Sequence, residues 1–181
     1  MEALAMWRRL DVPGHDAARL APGGAGWLLE GCAVFAHEEG PACLRYAVEL
    51  APDWTAMGGT VRGFVGGRGV GHEMRRDDGE WVLDGARVPG LDGLVDLDFG
   101  FTPATNLPQV RRLDLGVGQT AELRVAWFDP GAGLSPLAQR YKRVDARGFR
   151  YASPRHAYEA SLRLAQNGFV ESYPGLWEME A

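Results

Sequence analysis

The chain has 181 residues, 46% of them hydrophobic and 24% charged, with a formal net charge of −5. That balance excludes wholesale disorder. The lack of a long basic run argues against a nucleic-acid partner, since Arg62, Arg68, Arg75 and Arg76 are interleaved with glycines and acids.

The length suits one domain over residues 1–181. No window approaches the roughly 18 uninterrupted apolar residues of a membrane-spanning helix. The first ten residues lack the apolar core of a secretory signal, so the expected compartment is the cytoplasm.

In chain order, residues 2–10 suit either a strand or a helix. Next comes a hairpin turning at Glu38-Glu39-Gly40-Pro41, a register that sets Ala36 opposite Cys43. Cys32 and Cys43 are then expected as two unbridged thiols, in keeping with a reducing compartment. Two cysteines and four scattered histidines (His15, His37, His72, His156) match no zinc spacing, so neither a metal nor another cofactor is expected.

Leu44, Tyr46, Val48 and Leu50 alternate with polar or small residues, the mark of a strand with one buried face. The stretch 58–71 holds seven glycines and reads as a hairpin with bulges. It lacks the Lys-Ser/Thr of a phosphate loop. Asp78-Gly79 is a type I′ turn pair between Glu73–Arg76 and Trp81–Asp84.

Further on, Leu123, Val125 and Trp127 share a face, as do Tyr158, Ala160, Leu162 and Leu164. Turns at Asp145-Ala146-Arg147-Gly148 and Asn167-Gly168 separate the last strands. Tyr141, Phe149, Tyr151, Tyr158, Phe169, Tyr173 and Trp177 are read as filling a β core. One helix is signalled, Asn106–Leu113, with Asn106 as cap, Pro108 in the first turn, and Leu107, Val110 and Leu113 on one side. About a dozen strands and at most one or two short helices make the chain all-β.

The segment Asp96–Arg112 carries the densest chemistry. Asp96 and Asp98 face one way on a strand while Val95, Leu97 and Phe99 face the other. Two such carboxylates suit acid–base or cation chemistry, ligand hydroxyls, or a structural pairing with Arg111 or Arg112. Thr102-Pro103-Ala104-Thr105-Asn106 offers polar side chains in a tight turn. Arg111-Arg112 presents planar forks for a carboxylate or an anionic head group. Asp92 is a third nearby acid. No serine sits in a nucleophile-elbow context.

Taken together, Trp54, Gly93–Asp98, Thr102-Pro103-x-Thr105-Asn106, Pro108-x-x-Arg111-Arg112-Leu113, Gln139-x-Tyr141 and the ending Gly168-Phe169-Val170-x-x-Tyr173-Pro174-Gly175-Leu176 resemble the bacterial putative glycolipid-binding family, formerly a domain of unknown function. The resemblance runs from about Trp27 to Trp177. Ala104 stands where a larger apolar residue is typical, and Gln109-Val110 replaces a shorter Pro-Ile-Arg-Arg run. The resemblance implies a many-stranded antiparallel spiral β-roll, or curled half-barrel, akin in shape to bacterial carriers of lipoproteins and glycolipids.

The expected function is non-enzymatic binding of a lipid or glycolipid, its tail in the curled sheet and its head near Asp96–Arg112. The candidate ligand-binding residues are Asp96, Asp98, Thr105, Asn106, Arg111, Arg112, Gln139 and Tyr141, of which Asp96, Asp98, Asn106, Arg111 and Arg112 are read as one polar cluster. No catalytic residue is assigned. The alternatives are an interaction or scaffold protein with no small ligand, and a hydrolase using Asp96 and Asp98. The oligomeric state is left open.

Overall fold

The computed structural model describes residues 2–181, and its strands join into one fifteen-stranded sheet. Eight run outward as a meander: β1 (Ala3–Arg9), β2 (Gly14–Gly23), β3 (Gly26–His37), β4 (Gly40–Leu50), β5 (Ala56–Val65), β6 (Arg68–Asp77), β7 (Glu80–Leu83) and β8 (Ala86–Arg87). The chain then crosses to the far edge as β9 (Leu97–Phe99), followed by the helix α1 (Asn106–Leu113).

From there it returns through β10 (Thr120–Asp129), β11 (Gly133–Arg143), β12 (Gly148–Ser153), β13 (Tyr158–Leu164), β14 (Val170–Tyr173) and β15 (Trp177–Met179). β15 pairs with the free side of β1, so the sheet order is β8 to β1, then β15 down to β9. Every pairing is antiparallel except β9 with β10. This is the all-β spiral roll expected from the sequence.

The ambiguous N-terminal segment is a strand. Ala3, Ala5 and Trp7 are buried between the exposed side chains of Leu4, Met6 and Arg8, a period of two that no helix can satisfy. Asp78 and Gly79 adopt φ of 46° and 83°, as a type I′ turn requires. The glycine-rich stretch is the β5–β6 hairpin, but its register runs unbroken from Gly58–Arg75 to Val65–Arg68. The irregularity falls instead on β4–β5, at Glu49/Leu50.

A second register also differs from expectation. The β3–β4 turn is centred one residue earlier, pairing His37 with Gly40 around Glu38-Glu39, so Val34 and not Ala36 lies opposite Cys43.

A sheet of fifteen twisted strands curls, and here the β9–β10 edge is rolled inside the other half. Phe99 packs on Tyr46 of β4 with ring centroids 5.9 Å apart, and Phe128 packs on His72 of β6 at 5.2 Å. The backbone of β5 makes room at Gly59, where an added Cβ would lie 2.8 Å from Leu97 and 3.2 Å from Phe99. The Ala56 amide donates to the Val95 carbonyl at 2.9 Å, fastening the tucked edge to β5.

On the other side of the core, Tyr141, Tyr151, Tyr173 and Tyr158 run edge to edge at 5.0–5.7 Å. Phe99, Phe101 and Leu107 fill the space between the two walls.

Candidate functional site

The strand β9 and the helix α1 bring the acids and polar residues of the Asp96–Arg112 segment into the interior. Asp96, Asp98, Thr105, Asn106, Gln109 and Gln139 are all buried, and Tyr141 is fully so. Asp96 receives both arms of Arg112, at 2.8 and 2.6 Å. Asp98 accepts from Thr105 Oγ1 at 2.6 Å and from Gln139 Nε2 at 2.7 Å. Burial pushes the Asp98 carboxyl above its ordinary range, and these donors offset only part of that. Asn106 Nδ2 donates to the Tyr141 hydroxyl at 2.7 Å, which in turn donates to Gln109 Oε1 at 2.8 Å.

Three hydrogen-bonded groups, one of two residues and two of three, therefore stand where a single cluster was read from the sequence, and Arg111 lies outside them. Adjacent helical residues diverge by about 100°, so Arg111 and Arg112 cannot both turn toward Asp96. Asn106 is not the cap. Thr105 holds that position, and its hydroxyl is committed to Asp98 and to the Phe99 amide.

A further buried acid had no part in the sequence reading. Asp16 of β2 accepts from the hydroxyls of Tyr46 and Thr102, while its Oδ1 has no partner. Burial drives its carboxyl up to about 6. The available signal was a lone acid at the inward position of an alternating strand, in register with Ala18 and Leu20.

Arg111 leaves α1 in the opposite direction. Its guanidinium lies over Trp54 at 5.8 Å, and Trp54 is itself stacked on Trp27 at 5.0 Å and 5°. Nη2 donates to the Asn167 carbonyl at 3.2 Å. Gly168, at φ 94°, passes so close that an added Cβ would sit 2.8 Å from Arg111 Nη2.

Arg111 lines a pocket of about 360 Å³ between the end of α1, the β11–β12 turn, the β13–β14 turn and Trp54. Arg143 and Arg147 line it too, as do the apolar side chains of Val110, Leu115, Phe149 and Leu164. Arg143 is fixed there by backbone carbonyls, donating to Leu115 at 2.7 Å, Ala146 at 2.7 Å and Asp145 at 3.1 Å. Asp114 is the one carboxylate in the lining, so the wall carries an excess of positive charge. The partial negative charge of the α1 C-terminus, about half an elementary charge, does not cancel it.

The family described as putative glycolipid-binding matches residues 4–179. The chain belongs to that family. A solved structure, that of a DUF1089 family protein from Pseudomonas aeruginosa, aligns with a TM-score of 0.78 and 28% identity, covering 90% of this chain and 91% of that one. Comparison with curated proteins gives no match. No described helix is long and apolar enough to cross a membrane. Among the described residues, no group of three or more His, Cys, Asp or Glu is placed to hold a metal.

Proposed function

We propose that the protein binds an amphipathic ligand of the lipid or glycolipid class without transforming it, and that the head group is held at the pocket beside Arg111. The observation that carries this reading is the composition of that pocket: three guanidinium groups beside a largely apolar wall that includes Trp54, Val110, Leu115, Phe149 and Leu164, around one space of about 360 Å³. Pockets of this size and mixed character suit a head group with the first part of its tail. Guanidinium forks match phosphate and carboxylate oxygens.

Placing the head group here narrows the Asp96–Arg112 expectation to its C-terminal end. Asp96, Asp98, Thr105, Asn106, Gln139 and Tyr141 then serve as the support that fixes α1, because they are hydrogen-bonded to one another or, for Asp96, to Arg112. The same engagement leaves Asp96 and Asp98 poorly placed for acid–base work, which favours binding over hydrolysis. The tail lies along Val110, Leu115, Phe149 and Leu164, since the middle of the roll is occupied by Phe99, Phe101 and Leu107.

The test is native mass spectrometry and lipid extraction of the purified protein, followed by titration with anionic and zwitterionic phospholipid micelles. An Arg147→Glu variant is expected to weaken the anionic lipid about tenfold, the equivalent of about 1.4 kcal/mol, with the fold unchanged. Failure of every lipid to co-purify or bind, or equal binding by Arg147→Glu, would overturn the assignment.

A further inference from the structure

The β11–β12 turn that walls the Arg111 pocket has a second side. Along its two stems Tyr141 and Phe149 are buried and Arg143 is half-buried, while Lys142, Val144 and Arg150 are exposed on the outer face. None of these three exposed residues lines the pocket.

The outer face keeps an unfavourable pairing. Lys142 lies directly opposite Arg150, and the row continues to Thr120 on one side and Ser161 on the other. Like charges directly opposite one another weaken a sheet, and this row holds no carboxylate to relieve them. The neighbouring cations are answered: Arg140 lies opposite Glu122 and has Glu159 at 4.0 Å, and Arg163 has Glu171 at 3.2 Å. Among the described residues, no acid lies within ion-pair distance of Lys142 or Arg150.

Arg143 and Arg147 add two more cations to the same turn. Its acid, Asp145, is engaged by the backbone amides of Arg147 and Gly148, at 2.9 and 2.7 Å. Residues 142–150 therefore hold four cations and one carboxylate, on a chain whose net charge is −5.

Two solvent-facing valines flank these cations. Val144 is 41% exposed and Val117 is 63% exposed. Val117 sits at the crown of the turn Gly116–Gln119, which the Gln119 amide closes by donating to the Gly116 carbonyl at 3.0 Å. Gly118 has the positive φ, 89°, that a type II turn requires. The Gly118 amide donates to the Arg143 carbonyl at 2.8 Å, and the Arg143 amide to the Gln119 carbonyl at 3.0 Å. The two turns thus stand side by side.

A soluble polyanion such as a nucleic acid would answer the charge and leave both valines in water. A bilayer containing anionic lipid answers both features: its head groups meet the cations and its interface receives the apolar side chains. We propose that the paired turns 116–119 and 144–148 dock the protein on an anionic lipid bilayer, with Val117 and Val144 in the interface and Lys142, Arg147 and Arg150 on the head groups. Arg143, Ala146 and Arg147 also belong to the pocket wall, so a lipid leaving the bilayer meets the Arg111 pocket at the docked end. Docking itself does not rest on the pocket; the transfer of lipid into it does.

The probe is co-sedimentation of the whole protein with vesicles of phosphatidylcholine containing about one-third phosphatidylglycerol, against vesicles of phosphatidylcholine alone. Binding is expected to the anionic vesicles only, and to weaken as salt shortens the reach of the charges. Lys142→Gln/Arg150→Gln is expected to reduce partitioning roughly tenfold or more, with no fall in its urea midpoint, because the substitutions relieve a like-charge pair. Val117→Ser/Val144→Ser is expected to reduce it roughly fivefold. Monomeric dihexanoyl phosphatidylglycerol, kept below its micelle concentration, reports on the pocket alone, and its affinity is expected to be unchanged in the Lys142→Gln/Arg150→Gln variant. Absence of binding to the anionic vesicles, or equal partitioning of wild type and Lys142→Gln/Arg150→Gln, would overturn the docking face even where the monomeric lipid binds. Vesicle binding without monomer binding would uphold the docking face and count against the pocket. Undiminished partitioning of Val117→Ser/Val144→Ser, or tighter binding to a DNA duplex than to the vesicles, would overturn the bilayer as the partner.

Discussion

The stability of this protein should fall as pH rises through 6, and Asp16 is the reason. Its side chain is buried, with two hydroxyl donors on Oδ2 and none on Oδ1. Burial raises the carboxyl from 3.8 to about 6 in the folded chain. A raised carboxyl means that the folded state binds more protons than the unfolded state between those values. The contribution is therefore fully present below about pH 3.8, the unfolded value, and lost as pH rises through about 6.

With about 1.36 kcal/mol per pH unit, the full span is about 3 kcal/mol, of which roughly 2 kcal/mol falls between about pH 4.5 and pH 7.5. Asp16→Asn keeps an oxygen for Tyr46 and Thr102 but does not titrate. Urea unfolding at the two pH values gives the stability difference between wild type and variant at each. The change in that difference is expected to favour the variant by roughly 2 kcal/mol at the higher pH, whatever constant offset the amide introduces. Parallel profiles for the two proteins would refute the argument, because they would mean that Asp16 titrates alike folded and unfolded.

Arg112→Met should destabilise by about 3–5 kcal/mol, because it strands the buried Asp96 carboxylate. Urea midpoints in a cycle with Asp96→Asn should show the double variant recovering much of that loss. Tyr141→Phe removes the hydroxyl shared by Asn106 and Gln109 and should cost about 1–3 kcal/mol by thermal or urea unfolding. Gly168→Ala meets both a positive φ of 94° and the Arg111 guanidinium. It should lower stability by about 1 kcal/mol or more and weaken anionic lipid in the micelle titration.

Local signals made much of the fold legible. The type I′ turn at Asp78-Gly79, the helix over 106–113 and the alternation in β4 and β13 each depend on residues near in sequence, and each is present. The divergence of Arg111 from Arg112 was legible as well, since it follows from helical period alone. Two things were not. The tucking of β9 against Gly59 and Tyr46 depends on how far fifteen strands curl, which no short window encodes. The pocket's other arginines, Arg143 and Arg147, lie on a turn thirty or more residues from α1 and join Arg111 only through that curl.

The curl also explains why so polar a segment is buried. An edge strand presents backbone groups that need partners, and most proteins leave such edges in water. Here the edge lies inside, so the protein must answer those groups itself. The Thr105 hydroxyl accepts from the Phe99 amide. The Ala56 amide donates to the Val95 carbonyl, and Trp81 Nε1 donates to the Leu94 carbonyl at 2.9 Å. Thr105 is held in place by Asp98, Asp98 by Gln139, and the end of α1 by Asp96 through Arg112.

The motif Asp96–Arg112 thus reads as the means of burying a strand edge. Its two carboxylates, Asp96 and Asp98, are engaged in that task. Arg111 is the member that turns away from it, so ligand chemistry is to be sought where Arg111 emerges and not where the carboxylates are densest.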